Sequence, residues 1–178
     1  VVSSESDEFL PDGAPSAFTS GGTARVTITG GTIGINGWDN GMVSGSGRGD
    51  VSGPAGSDPC DKLAWVKETF VTIGNSEGGP AIKGSVYGGG ENGHNFGNAT
   101  VDVKGGTIGV SKTDTNWGSM NITSRGNVYG AGCGTDTYTV DGKKRHNAIA
   151  GIVRGNTDVT VEGGLVINNV YGGGSMTT

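Results

Sequence analysis

Aromatic residues are scarce in this chain, at 6% of 178 positions, and hydrophobic residues of all kinds reach only 32%. That is too little apolar matter for a thick two-layer core, and enough for a thin column of inward Val, Ile and Leu in a single domain. No apolar run approaches the roughly 20 residues that a membrane-spanning helix needs. Basic charge is also short. The 12 Lys and Arg face 17 Asp and Glu, a net charge of −5, so a nucleic-acid backbone is not the expected partner. The one basic run, Lys143-Lys144-Arg145-His146, is brief and reads as a solvated loop between Gly142 and Asn147.

Cysteine is nearly absent. Cys60 and Cys133 are the only two, and in an oxidising compartment a bridge between them would contribute about 4 kcal/mol in the chain-entropy model. Their spacing matches no repeat of the chain, so pairing stays open. His94 and His146 show neither an HxH nor an HExxH spacing, and the calcium-binding nonapeptide is missing, so neither a metal nor a cofactor is implied. The chain starts at Val1, with no signal-peptide pattern. It is expected to be a piece of something longer.

Glycine, by contrast, fills 38 positions. It follows no Gly-X-Y period, which excludes collagen, and it clusters in a recurring phrase. Val86-Tyr87-Gly88-Gly89-Gly90 returns as Val128-Tyr129-Gly130-Ala131-Gly132 and as Val170-Tyr171-Gly172-Gly173-Gly174, 42 residues apart each time (128−86, 170−128). Met42-Val43-Ser44-Gly45-Ser46-Gly47 aligns as a degenerate first copy. A sustained period of this size signals stacked repeats, each covering its neighbour's apolar edge.

A second phrase accompanies it. Val26-Thr27-Ile28-Thr29-Gly30-Gly31 recurs as Val101-Asp102-Val103-Lys104-Gly105-Gly106 and as Val159-Thr160-Val161-Glu162-Gly163-Gly164. The period of two predicts strands with Val and Ile inward and a variable outward face. Glycine pairs then turn the corner, where positive φ and close approach of the next pass disfavour a Cβ. Val71-Thr72-Ile73-Gly74 echoes the same phrase, and Leu63-Ala64-Trp65-Val66 reads as a strand before it. A short helix capped by Asp58 and Pro59, with Leu63, Val66 and Phe70 on one face, is the rival reading of this stretch.

The fold expected is all-β, a right-handed parallel β-helix or related β-solenoid with short strands, glycine-rich corners and irregular loop insertions. Residues 1–22 are acidic, rich in Ser, Pro and Gly and without periodicity, and read as a linker or cap. Residues 23–178 form the repeat segment, expected to continue past Thr178 because no capping element follows the last phrase.

Three outward tyrosines, Tyr87, Tyr129 and Tyr171, are the candidate ligand contacts, since an aligned aromatic row could stack on sugar rings. The bland alternative packs each ring over its neighbouring glycines. Arg48-Gly49-Asp50 spells an integrin-type tripeptide, yet it occupies the turn that reads Glu91-Asn92-Gly93 in the next copy. Asp102, Asp136, Asp141 and Asp158 are the carboxylates from which a polysaccharide-cleaving site would have to be built; only Asp102 sits clearly on an outward strand position.

The chained phrases, together with Ala150-Gly151-Ile152-Val153-Arg154-Gly155-Asn156 and Glu91-Asn92-Gly93-His94, resemble the glycine-rich repeat regions of very large secreted or surface proteins of Bacteroidetes. The likeness spans roughly Thr23 to Ser175. It implies parallel β-helices of adhesin or autotransporter-passenger type, an extracellular location, and a scaffolding or adhesive role. The partners it implies are host or microbial glycans, surface proteins and flanking repeats of the same chain. It carries over no catalytic residue. A carbohydrate-binding module and a polysaccharide-cleaving β-helix enzyme are the alternatives.

Overall fold

The computed structural model describes residues 22–34, 40–49, 64–111, 125–135, 137–140, 142–146 and 150–177. Among them all regular structure is β. The first pass of the chain lays down β1 (Thr23–Ile28), β2 (Thr32–Ile33) and β3 (Val43–Ser44), then β4 (Trp65–Val66). A second pass repeats the order with β5 (Glu68–Ile73), β6 (Ala81–Ile82), β7 (Val86–Tyr87) and β8 (His94–Asn95). The third contains β9 (Ala99–Val103), β10 (Thr107–Ile108), β11 (Val128–Tyr129) and β12 (Cys133–Thr135), followed by β13 (Thr137–Val140) and β14 (Lys143–His146). The last consists of β15 (Thr157–Val161), β16 (Leu165–Val166), β17 (Val170–Tyr171) and β18 (Ser175–Thr177).

Corresponding strands of successive passes pair side by side. One parallel sheet runs β1-β5-β9-β15, a second β2-β6-β10-β16 and a third β3-β7-β11-β17. Parallel pairs β4-β8 and β12-β18 add two shorter rows, and single parallel bridges from Arg48 to Glu91, Glu91 to Cys133 and Asn95 to Val153 carry those rows through further passes. Alternation explains the register. In β5 burial alternates with Thr69, Val71 and Ile73 buried, and the register sets them beside the buried Ala99, Val101 and Val103 of β9, so a one-residue slip would expose every valine of the strand. The core is the thin column expected: Val43, Val71, Ile73, Ile82, Val86, Val101, Val103, Ile108 and Val128, all β-branched, which suits stacked strands that present the same face at every level.

Glycine is required where passes approach. A Cβ on Gly45, Gly88 or Gly130 would lie inside van der Waals contact of the carbonyl oxygen of Gly88, Gly130 or Gly172, the matching residue of the next pass. The second glycine of each corner pair serves differently: Gly31, Gly106 and Gly164 hold φ of 84°, 92° and 85°, a region that L side chains rarely enter.

The 42-residue interval proves to be a property of the third sheet. There Val86 pairs with Val128 and Val128 with Val170. In the first sheet Val26 pairs with Val71, Val71 with Val101 and Val101 with Val159, intervals of 45, 30 and 58 residues (71−26, 101−71, 159−101). The cause is where extra chain is inserted. From Ile82 to Val86 is a short step, and the same step in the third pass runs from Ile108 to Val128. From Glu91 to Asn95 is short as well, but its counterparts run from Arg48 to Val66 and from Cys133 to Val153. One such insertion falls within each interval of the third sheet, so lengths there come out equal.

One reading of local sequence is revised and one holds. Lys143-Lys144-Arg145-His146 is strand β14, paired antiparallel with β13, because Gly142 at φ 71° permits the tight turn between them. Trp65 and Val66 form a strand paired with His94 and Asn95, as the strand reading required, while Asp58, Pro59 and Leu63 lie outside the described residues, as do positions 1–21 of the linker.

Candidate functional site

Each tyrosine of the repeated phrase ends a two-residue strand and is followed by a glycine at which the chain bends. Parallel pairing aligns Tyr87 with Tyr129 and Tyr129 with Tyr171. Their rings stack face to face, with centroids 4.8 and 5.0 Å apart and planes tilted by 2° and 10°. That spacing is the distance between neighbouring strands, so stacking follows directly from the ladder.

The row is not an open platform. Tyr87 is only 4% exposed, whereas Tyr171 at the far end is 44% exposed, and Tyr129 is half-buried. This corrects the expectation that all three rings face out. The residues four positions after Tyr129 and Tyr171 return over the tyrosine of the preceding pass: the Tyr87 hydroxyl is hydrogen-bonded with Cys133 and with Ser85, and that of Tyr129 with Ser175. A tyrosine therefore meets the residue that covers the next pass, not its own. Burial raises the Tyr87 phenol well above its ordinary value, and the neighbouring Cys133 and Tyr129 push it further. Burial likewise raises Tyr129 against the opposing bond from Ser175. The Cys133 thiol is also raised, by burial first, with the Tyr87 hydroxyl opposing and Glu91 adding to it. At neutral pH the cluster holds protonated phenols and a protonated thiol, which binds passes together and offers no activated nucleophile.

A polar row, which alternation did not flag, runs beside the tyrosines. Asn127 donates its backbone N–H to Ser85 Oγ at 3.2 Å, and Asn169 donates its own to Asn127 Oδ1 at 3.1 Å. The signal was present in the residue preceding Val86, Val128 and Val170. Further in, Asn95 Nδ2 donates to Thr69 Oγ1 at 2.7 Å, and that hydroxyl donates to the Gly88 carbonyl at 2.5 Å, all buried. Arg125 spans two passes to donate to the Asn40 carbonyl at 2.9 Å.

The remaining candidates separate. Cys133 is a free thiol, and Cys60, the partner that the sequence offers for a bridge, lies outside the described residues. Arg48 pairs with the Glu91 row and its Nε lies 3.6 Å from Glu91 Oε1, and Gly49 is packed against the Asn92 carbonyl, so these two residues sit at the repeat turn; Asp50 is outside the described residues. Asp102 and Asp158 lie on neighbouring strands, but Asp158 pairs with Thr100 and Asp102 with Thr160, which offsets the two carboxylates along the sheet. Asp136 and Asp141 are outside the described residues. His94 is fully buried against Trp65, ring centroids 4.8 Å apart, and His146 is in β14. No group of three or more His, Cys, Asp or Glu side chains converges among the described residues. Comparison with protein-family models, with curated proteins and with solved structures returned no match.

Proposed function

We propose that the chain is a right-handed β-helix segment acting as a structural and adhesive surface of a secreted or cell-surface bacterial protein. Crossovers that join parallel strands of one sheet are almost always right-handed, and every link between successive strands of the first sheet is such a crossover. The extracellular placement, and an origin among Bacteroidetes, rest on the likeness of the glycine phrases. One observation carries the functional reading. The inward row Val26, Val71, Val101, Val159 is unchanged through four passes, while the adjacent outward row reads Arg25, Phe70, Thr100, Asp158. Residues held constant inside and varied outside build a surface whose chemistry is free to change without disturbing the column. Glycans and surface proteins are the partners such a surface would meet.

A carbohydrate-binding reading keeps one favourable observation, the exposed ring of Tyr171. Both readings are tested on the purified chain with a glycan array, adhesion of coated beads to cells, and reducing-end release from mixed polysaccharides. The expected result is bead adhesion that is lost on heat unfolding and unchanged by Tyr171→Ala, with no release of reducing ends. Glycan retention abolished in folded Tyr171→Ala would make the chain a sugar-binding module. Reducing-end release would make it an enzyme, and the absence of adhesion would remove the adhesive role.

A further inference from the structure

One corner of the coil differs from its three counterparts. Thr29-Gly30-Gly31 joins β1 to β2, Lys104-Gly105-Gly106 joins β9 to β10 and Glu162-Gly163-Gly164 joins β15 to β16, three residues each, whereas seven, residues 74–80, join β5 to β6. Register is unbroken on either side, with Ile28 paired to Ile73 and Thr32 to Ala81, so the extra residues add nothing to the column. They form a loop of fixed shape. Asn75 and Gly78 exchange backbone hydrogen bonds at 2.8 and 3.2 Å, the Glu77 N–H donates to Asn75 Oδ1 at 2.9 Å, and the fully buried Pro80 returns the chain to the sheet. On stacked scaffolds, insertions gather on one face, often the one that binds.

Between this loop and the corners of the next two passes lies an open cavity of about 830 Å³. Its floor is glycine backbone. A Cβ on Gly105 would collide with the carbonyl oxygens of Asn75 and Gly78, and one on Gly164 with that of Gly106, so close packing keeps the floor bare. Around it stand Asn75, Ser76, Glu77, Lys104 and Glu162. All five are exposed, and neither carboxylate lies within ion-pair distance of Lys104. The floor is independent of the outer edge of the last pass, because Glu162 and Leu165 donate their backbone N–H groups to Val103 and Gly106 at 2.8 Å each.

From this we infer that the cavity is a binding site for a neutral sugar unit of a glycan. The inference rests on the adhesive reading and deepens it, by giving a glycan partner its place. No apolar side chain lines the cavity, so an apolar ligand has little to gain there. Two carboxylates against one ammonium disfavour a phosphate, a sulfate or an acidic sugar. A sugar hydroxyl both donates and accepts. Glu77 and Glu162 accept its proton, and Lys104 and the Asn75 amide donate to its oxygen, with the bonds to charged groups the stronger ones. A floor without side chains lets a flat ring approach the backbone, and the volume falls within the range of small-ligand sites.

Saturation-transfer NMR with free neutral hexoses, and a printed array of neutral, amino and acidic oligosaccharides, should show the purified chain retaining neutral members. Replacing residues 74–80 with Thr-Gly-Gly, the corner of the first pass, should leave a folded chain that retains none. Glu77→Gln and Lys104→Met should melt with the parent and each weaken binding by about tenfold. Undiminished binding in these two variants overturns the inference even if the short corner fails to fold. So does binding that survives a folded short corner, or that is lost instead in Tyr171→Ala. Retention confined to acidic or amino sugars overturns it too. A parent chain that retains no sugar while coated beads still attach to cells overturns the inference and leaves the adhesive reading standing; sugar binding at this corner without bead attachment upholds the site and removes the adhesive role.

Discussion

Val128 and Val170 occupy the same place in the same phrase, one pass apart and directly paired. Val128 is fully buried; Val170 is 48% exposed. The tyrosines beside them diverge in the same sense, as does glycine: Gly88 and Gly130 have the next pass packed onto them, while Gly172 has open space. Neither composition nor alternation separates these copies. What separates the inner passes from the last is a neighbour on both sides instead of one, so burial here is supplied by the stack and not by the phrase.

The glycine row gives that contrast its sharpest form. Gly88→Ala must push a Cβ into the Gly130 carbonyl and against the Val101 side chain, both held in place by paired strands. Chemical denaturation should show a loss of more than about 4 kcal/mol, or a chain that no longer folds. Gly172→Ala, identical in sequence terms, should lie within about 0.5 kcal/mol of the parent in the monomer. Equal losses at the two sites would mean that the pass above is not what makes glycine obligatory.

Valine truncation tests the same contrast through packing. Val128→Ala removes two methyl groups from the centre of the column and should cost about 2–3 kcal/mol, transfer and cavity together. Val170→Ala should cost about 0.5 kcal/mol, since much of that side chain already touches water. The difference between the two midpoints in urea is the readout.

These contrasts mark how far the sequence could be read. The rows of Val26 and Val86 were legible because period-two alternation and repeated glycines each have a single structural meaning. The equal spacing of the Val-Tyr-Gly phrase was legible but misleading, since it arose from insertions of similar length at different corners, and only pairing reveals which residues share a level. Tyr87 was placed on the outer side of its strand by alternation, which is silent about what folds over that side. Cys133 and Ser175 cover the row from the following pass, and nothing local to Tyr87 announces them. Likewise the antiparallel hairpin that holds Lys143 and Lys144 breaks the parallel pattern from within an insertion, where repeat logic has no purchase.

Tyrosine ionisation extends the comparison to pH. Tyr87 and Tyr129 both have phenols raised above the ordinary value of 10.0, chiefly by burial. A phenol whose folded pKa exceeds its unfolded one binds its proton more tightly in the native state. Its contribution is therefore complete below pH 10 and declines as pH rises past that point. Stability measured by urea midpoint should be flat across neutral pH and fall steadily above about pH 10. Tyr87→Phe should flatten the alkaline fall while costing little at pH 7 beyond its lost hydrogen bonds, about 1 kcal/mol. An unchanged alkaline slope in that variant would place the titrating group elsewhere.

The smallest effect is expected where the neighbour contributes charge instead of coverage. Arg48 and Glu91 sit in adjacent passes of one row, joined by a backbone bridge, and their side chains approach to 3.6 Å while remaining 79% and 42% exposed. Water screens such a pair, and holding two long side chains in one geometry opposes most of the gain. Glu91→Gln should therefore lower stability by no more than about 0.5 kcal/mol, with the small loss vanishing as salt rises. The backbone bridge and the packing of Gly49 against Asn92 do not depend on that charge, so the turn should keep its shape. A larger, salt-insensitive loss would show that Glu91 acts through the Cys133 and Tyr87 cluster beside it, and would move this row from the solvated rim of the molecule into its structural core.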